Sequence, residues 1–342
     1  MQLLNTLYIT TPNSALHKEG ESLLLKVDRE KRLQVPLHHL QTIVVMGQAW
    51  VSPELLRACL ERNLAVVFIT ENGRFLGRLE GIGAAGGLLR KDQMQAHLDP
   101  GRTLELARVL VKGKLANQRQ VLLRAGREAD PQEATPLLQA AERLRVVQGQ
   151  VAAMDTLDQV RGCEGDGAAW YFEQFPFLVR QQRSVFPWRG RSRRPPLDPI
   201  NALLSFGYAL LTGDCLSACQ SVGLDPTIGF LHAFRPGRPS LALDLMECFR
   251  PLVVDRMVLT LINNQQVRLE GFRTTASGGV EMDEETRKAV ILAYQERKTQ
   301  TLRHPFLEQE VPWGLVPLIE ARLLARHLRG DLKAFPPFHP RG

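Results

Sequence analysis

GIGAAGG, residues 81–87, separates two unlike halves of the chain, and the reading of the segments on either side of it decides the fold. Gly81, Gly83 and Gly86 have the spacing of a dinucleotide-binding fingerprint, and the stretch lies between a strand-like and a helix-like segment. That fingerprint requires a βαβ unit whose second strand ends in an acidic residue about 20 positions on. Here the acid in that place, Glu105, falls inside a helical pattern with no second strand. The stretch therefore reads as a flexible interdomain linker, and a nicotinamide oxidoreductase built on it is set aside.

Upstream, short β-runs separated by turns reach residue 80: LYIT near Tyr8, SLLLKV around Leu24, QTIVV around Val44, AVVFIT around Val67 and RFLGRL around Phe75. Asn72-Gly73 between the last two predicts a type I′ hairpin, since both residues tolerate positive φ. One helix interrupts the strands, from Ser52 with Pro53 at its first position to about Arg62, with Leu55, Leu56, Cys59 and Leu60 on one side. Downstream, helical spacing dominates, as in Leu104, Ala107, Leu110 and Val111, then Leu137, Leu138, Ala141 and Leu144. Strands succeeded by helices, without alternation, predict a two-domain α+β chain. Residues 1–80 form a small β-sandwich with one helix, 81–87 the linker, and 88–342 a larger all-α domain that carries the chemistry.

A chain of 342 residues, 44% hydrophobic and 23% charged, can bury a sizeable core, which excludes wholesale disorder. Its runs LAVVFIT and KAVILAY are shorter than the roughly 18 to 20 apolar residues of a membrane helix, and its start lacks the pattern of a secretory signal. A soluble, cytoplasmic protein without a membrane partner is the expectation. Cys59, Cys163, Cys215, Cys219 and Cys248 are scattered and odd in number, which suits reduced thiols better than a disulfide framework. The net charge of +7 favours a polyanionic partner.

Much of that charge lies in RQQRSVFPWRGRSRR, residues 180–194, which holds Arg180, Arg183, Arg189, Arg191, Arg193 and Arg194 and no acid. Guanidinium groups bind phosphate oxygens in pairs and stack on bases, and Phe186 and Trp188 stand among them as candidate stacking partners. Like charges so close repel unless a counter-charge arrives, so nucleic acid is favoured over a solvated loop. Asp198 as N-cap and Pro199 at the first helical position then anchor the run to an apolar helix.

From Ser240, SLALDLMECFRPLVVDRMVLTLI reads as a buried helix with a seam of Leu241, Leu245, Cys248 and Leu252. Asp244 and Glu247, at i and i+3, project from one face and can reach one cation, the plain alternative being ion pairs with Arg250 or Arg256. His232 precedes this helix in GFLHAFRPGRPS, where the turn at Pro236 and Gly237 can fold it back towards both acids. A carboxylate and imidazole set suits Mg²⁺ or Mn²⁺. In VRGCEGDGAAWYFEQF, Glu164 sits between glycines at the expected start of a helix and is a candidate long-range member of the set. Asp166 and Glu173 compete with it. Arg238 and Arg250 extend the expected DNA-contacting set.

At these residues the chain resembles the CRISPR-associated adaptation integrases, the spacer-acquisition endonucleases of CRISPR systems. The resemblance rests on four ordered blocks: RGCEG with YFEQF, RPPLDPINALLSFGYALL, GFLHAFRPGRPSLALDLMECFRP and IEARLLARHLRGD. MQLLNTLYITTPNSAL and the ITENGRFLGRLEG hairpin further resemble the type I-C (Dvulg) branch. The resemblance implies Glu164, His232 and Glu247 as metal ligands and Asp244 as a supporting acid. The family's late Gln-Ala-Arg pattern stands here as Glu320, Ala321 and Arg322, a departure.

It implies, further, that the N-terminal β-domain forms a homodimer. Two such dimers would be bridged by a small ferredoxin-like subunit, with a CRISPR-associated exonuclease as a possible further partner. The implied reaction inserts short double-stranded DNA into a CRISPR repeat by 3′-hydroxyl attack on a phosphodiester. Two other readings stay open on the residues alone: a stand-alone metal nuclease acting on branched DNA or RNA, and a non-catalytic DNA-binding scaffold.

Overall fold

A computed structural model describes residues 6–40, 42–70, 75–79, 81 and 87–340. The chain divides into two compact units, Met1–Ala84 and Ala85–Gly342. The first is built from eight strands, β1 (Thr6–Ile9), β2 (Ser14–Glu19), β3 (Ser22–Val27), β4 (Glu30–Pro36), β5 (Thr42–Met46), β6 (Ala49–Val51), β7 (Ala65–Ile69) and β8 (Phe75–Leu79). They form two four-stranded sheets, ordered β1-β5-β7-β8 and β4-β3-β2-β6. In the first sheet β1, β5 and β7 run parallel and β8 antiparallel to β7. Leu16 and Leu23 of one sheet and Ile9, Ile43, Val45 and Val66 of the other share a single core with Leu55 and Cys59 of the helix α1 (Pro53–Glu61).

That helix starts where the sequence places it, because the Ser52 side chain accepts the Leu55 amide and Pro53 needs no donor of its own. β2, β4 and β6 escape the sequence reading: β4 (EKRLQVP) opens on three charged residues and is exposed over most of its length. The expected turn at Asn72-Gly73, together with Gly83 and Gly86, lies outside the described residues.

The second unit is helical: α2 (Gly87–Leu98), α3 (Pro100–Glu128), α4 (Pro131–Gln150), α5 (Leu157–Glu173), α6 (Phe175–Leu178), α7 (Pro199–Val222), α8 (Ser240–Arg250), α9 (Arg256–Asn263), α10 (Glu284–Thr299) and α11 (Val316–Leu328). It is not all-α, since the ribbons β9 (Phe272–Thr274) with β10 (Val280–Met282) and β11 (Thr301–Arg303) with β12 (Glu310–Pro312) join its helices. Glu105 lies within α3, which comes directly after α2, so no βαβ unit surrounds the glycine stretch.

α3 is the hub, packing on α4, α5 and α8. Leu110, Val111, Leu115 and Leu122 bury there, at about 1.5–3 kcal/mol for each large apolar side chain. α7 corrects the expectation that no stretch is long and apolar enough to cross a membrane, because its 24 residues are. Two thirds of its most apolar window is buried within the unit, against α8 and α11 among others, which is the environment of a core helix. Asp198 caps it through the Asn201 amide and Gly223, at φ +91°, ends it. All five cysteines are free, four of them buried.

Candidate active site

Three elements of the helical unit meet around Lys114, and small residues let them approach. A side-chain carbon at Gly167 on α5 would overlap Leu115 Cδ2, and one at Gly113 on α3 would stand 3.0 Å from Cys248 Sγ on α8. α5 and α8 thus lie close against the stretch of α3 that carries Lys114. Its ammonium, 1% exposed, is shared by the carboxylates of Glu164 from α5 and Glu247 from α8, the second at 2.6 Å. Glu247 also takes Arg250 at 2.7 Å, one turn along the same helix. An ammonium buried this deeply is tolerated because two carboxylates compensate it.

The third element is the loop carrying His232. A side-chain carbon at Gly229 would fall 2.7 Å from Asp244 Oδ2 and 2.8 Å from the Ser240 backbone, so the loop lies flat on the start of α8. The amides of Phe230 and Leu231 donate to Asp244 Oδ2, that of His232 donates to Oδ1, and His232 Nδ1 lies 2.7 Å from Oδ1. Arg161, on the same face of α5 as Glu164, donates to the Leu231 carbonyl at 2.8 Å and ties the loop to that helix. Asp244 is therefore an organiser whose oxygens are taken up by the loop. Its expected sharing of one cation with Glu247 is not what the geometry gives.

Burial alone would raise the Glu247 carboxyl, but Arg250 and Lys114, with His232 farther off, overcome it and hold the group well below the usual carboxylate range. Arg250 lies over the Tyr208 ring at 4.3 Å. The Tyr208 and Tyr171 hydroxyls donate to the buried Asp255, at 2.5 and 3.0 Å. Burial keeps the Asp255 carboxyl above its ordinary value despite those partners. A chain of paired polar groups thus backs Glu247 from the side away from Lys114.

Among the described residues no three carboxylate, imidazole or thiol groups stand close enough to form a ready metal site. Glu164 and Glu247 nevertheless converge on one cationic atom, so the space between them is shaped for positive charge. His232 Nε2 is not engaged by Asp244. Two carboxylates and an imidazole are donor types suited to Mg²⁺ or Mn²⁺; the carboxylates already share one positive charge, and His232 lies within electrostatic reach of Glu247.

Glu164 lies in the middle of α5, not at its start; the cap is Thr156, seated against Gln159. Asp166 and Glu173 are exposed, and of the three acids only Glu164 reaches Lys114. Among the arginines expected to hold DNA, Arg250 is 4% exposed and committed to Glu247, and Arg191 is half-buried, donating to Asn201 Oδ1 at 2.6 Å. Neither presents a free guanidinium. Arg180 and Arg183 are exposed but paired, with Glu128 at 3.1 Å and Glu133 at 2.5 Å, so distant acids supply the missing counter-charge.

Arg189, Arg193 and Arg194 are exposed, and Arg238 is half-buried, within electrostatic reach of Arg235, Arg194 and Arg161. Phe186 is buried against Phe272, and Trp188 stacks on Phe175 at 4.8 Å, so both serve the core. Glu320 pairs with the buried His304 at 3.0 Å and secures the β11–β12 ribbon to α11. Lys114, Arg161 and Arg235 were not singled out in the sequence. The only trace of Lys114 there is a lysine on the apolar face of VLVKGKLAN.

Comparison with known proteins gives concordant relatives. The chain is 49% identical to CRISPR-associated endonuclease Cas1 2 of Rhodospirillum rubrum, covering 98% of each chain. It superimposes on a CAS1 protein of Thermotoga maritima, TM1797, with a TM-score of 0.82 at 23% identity, covering 97% of this chain and 99% of the other. It also superimposes on a chain of a Cas6-RT-Cas1–Cas2 complex with a TM-score of 0.83 at 22% identity, covering 100% of this chain and 37% of that one. The model of the family described as CRISPR associated protein Cas1 matches residues 7–296, and the chain belongs to that family.

Proposed function

We propose that this protein is a metal-dependent DNA endonuclease and integrase that joins short double-stranded DNA into a CRISPR repeat. The observation that carries the reading is the meeting of Glu164 and Glu247, from separate helices, at one cationic atom beside a carboxylate-held histidine. Mg²⁺ or Mn²⁺ held by Glu164, His232 and Glu247 would supply Lewis-acid polarisation of a phosphodiester oxygen. The chain's own groups prepare that chemistry. Asp244 fixes the His232 ring through Nδ1 and leaves Nε2 for a ligand. Arg250 keeps Glu247 ionised. Arg189, Arg193, Arg194 and Arg238 supply exposed or half-buried guanidinium groups for the DNA backbone.

In the joining reaction a DNA 3′-hydroxyl attacks a repeat phosphodiester. One P–O bond forms, another breaks, and the displaced strand leaves with a new 3′-hydroxyl that takes up the proton lost by the attacking one. With water as nucleophile the same site cleaves DNA.

The assembly we propose is a homodimer formed through the β-domain, with two dimers bridged by a small ferredoxin-like subunit, as the Cas1–Cas2 composition of one structural neighbour supports. A CRISPR-associated exonuclease trims the incoming fragment, the reaction takes place in the cytoplasm, and the system belongs to the type I-C branch. Glu164→Ala should abolish cutting and joining while sparing DNA binding. Full integration by that variant would remove Glu164 from the mechanism.

A further inference from the structure

On the side of α3 turned away from the site lies a second concentration of positive charge. Two adjoining cavities of about 450 and 330 Å³ share Arg124, Glu128 and Arg256, and together take in Arg119, Arg127 and Arg180. At 3.6 residues per turn, Arg119 and Arg127 each project about 140° round the helix from Lys114, so this trough does not open on the reacting phosphate. Five guanidinium groups there face one carboxylate. Glu128 is already committed twice, to Arg124 at 3.3 Å and to Arg180 at 3.1 Å.

Arg119, Arg127 and Arg256 form no side-chain hydrogen bond or ion pair among the described residues, and the Nε of Arg119 is buried without a partner. Glu142, the neighbouring acid that feels Arg119, is held by Arg145 in two-point contact. The cations also act on one another: burial and then Arg124 lower the Arg256 guanidinium, and burial, Arg256 and Arg124 bring Arg297 beside it to about 10. A cleft that gathers like charges at this density, with too few acids to balance them, attracts anions.

We propose that the trough lined by Arg119, Arg124, Arg127, Arg180 and Arg256 is a second DNA-binding surface, which takes the phosphodiester backbone of a duplex segment away from the reacting phosphate. The choice of DNA as the polyanion rests on the function proposed above; the anion site itself rests on the charges. Arg119 to Arg127 spans about 12 Å of helix, enough to face about three phosphates of one strand. Such contacts position the duplex and read no sequence.

The test is equilibrium binding of a short duplex oligonucleotide to the full chain in EDTA, so that no divalent ion contributes, over a range of salt concentrations. Arg119→Gln/Arg127→Gln removes two unpartnered cations, and should lower the slope of log K against log salt by about two and weaken binding roughly thirtyfold near 0.15 M salt. Glu128→Gln should shift affinity the other way and tighten binding. Unchanged slope and affinity in the double variant, with its melting temperature intact, overturns the proposal. So does weakened binding with Glu128→Gln. A double variant that binds DNA as wild type does but loses capture of an acidic protein partner also overturns it. Failure of strand joining by wild type in a separate assay would count against the proposed reaction and leave this binding result standing.

Discussion

Lys114→Met is the substitution that interrogates the site most sharply, because it keeps most of the unbranched side chain and removes the ammonium. In the folded protein one ammonium compensates two carboxylates, Glu164 and Glu247, the second almost wholly buried. Taking away one partner of a buried ion pair costs about 3–5 kcal/mol, since the remaining charge stays desolvated. Arg250 still holds one oxygen of Glu247 and Glu164 is partly exposed, which places the loss towards the lower end of that range.

For a unit of this size each kcal/mol moves the melting temperature by about 2–4 °C, so in EDTA the variant should melt about 6–12 °C below wild type. In the proposed metal centre a divalent ion would then take the place of the ammonium. At 100 times its Kd an ion adds about 2.7 kcal/mol, and it should do so at lower concentration in the variant, where no lysine has to be displaced. Thermal melts across a Mn²⁺ titration, read by circular dichroism, give both numbers. A variant within about 2 °C of wild type in EDTA, or a gap between the two that Mn²⁺ fails to narrow, rules out an ammonium that stands in the place of the metal.

The same geometry carries further expectations. His232→Ala should lose strand joining while keeping its fold, measured as joined product against melting temperature. Asp244→Ala strips the acceptor from three backbone amides and from His232, so it should cost about 3 kcal/mol or more in denaturant unfolding as well as activity. Gly229→Ala puts a carbon against Asp244 and the Ser240 backbone; a loss of about 1–3 kcal/mol with a displaced histidine loop is expected, and wild-type stability would contradict the close packing. Because the folded Glu247 carboxyl is held below its ordinary value of 4.5, its contribution to stability is complete above about pH 5 and declines as pH falls towards the depressed value. Glu247→Gln should flatten that part of the stability profile between about pH 5 and about pH 2.

The division into a β-rich and a helical half was legible because local pattern carries it. Apolar runs such as TIVVM and AVVFI read as strands, and Ser52-Pro53 and Asp198-Pro199 mark helix starts that the fold uses as capped. β4 was hidden because it opens on three charged residues and is exposed over most of its length. The site was legible where chemistry is local: Asp244 and Glu247 share one helix, and His232 folds back onto it. What sequence spacing could not convey was the division of labour between the two acids. That depends on a lysine 133 positions before Glu247 and a loop whose amides claim Asp244 first. The pairing of two members of the arginine run was hidden for the same reason, since Glu128 and Glu133, which face Arg180 and Arg183, come from α3 and α4, about 50 positions upstream. Glu164 was misplaced at a helix start because glycines flank it, yet α5 runs through both, and at neither would an added side-chain carbon meet another atom.

The proposed metal centre is tested most directly by a strand-joining assay with the purified protein and its small partner subunit, a short duplex and a repeat-containing plasmid. Wild type and Glu247→Gln would be compared in Mn²⁺ and in EDTA. Joined product from wild type in Mn²⁺ alone, with DNA binding retained by the variant, is the predicted result; joining in EDTA, or by Glu247→Gln at the wild-type rate, would contradict a metal centre built on these carboxylates.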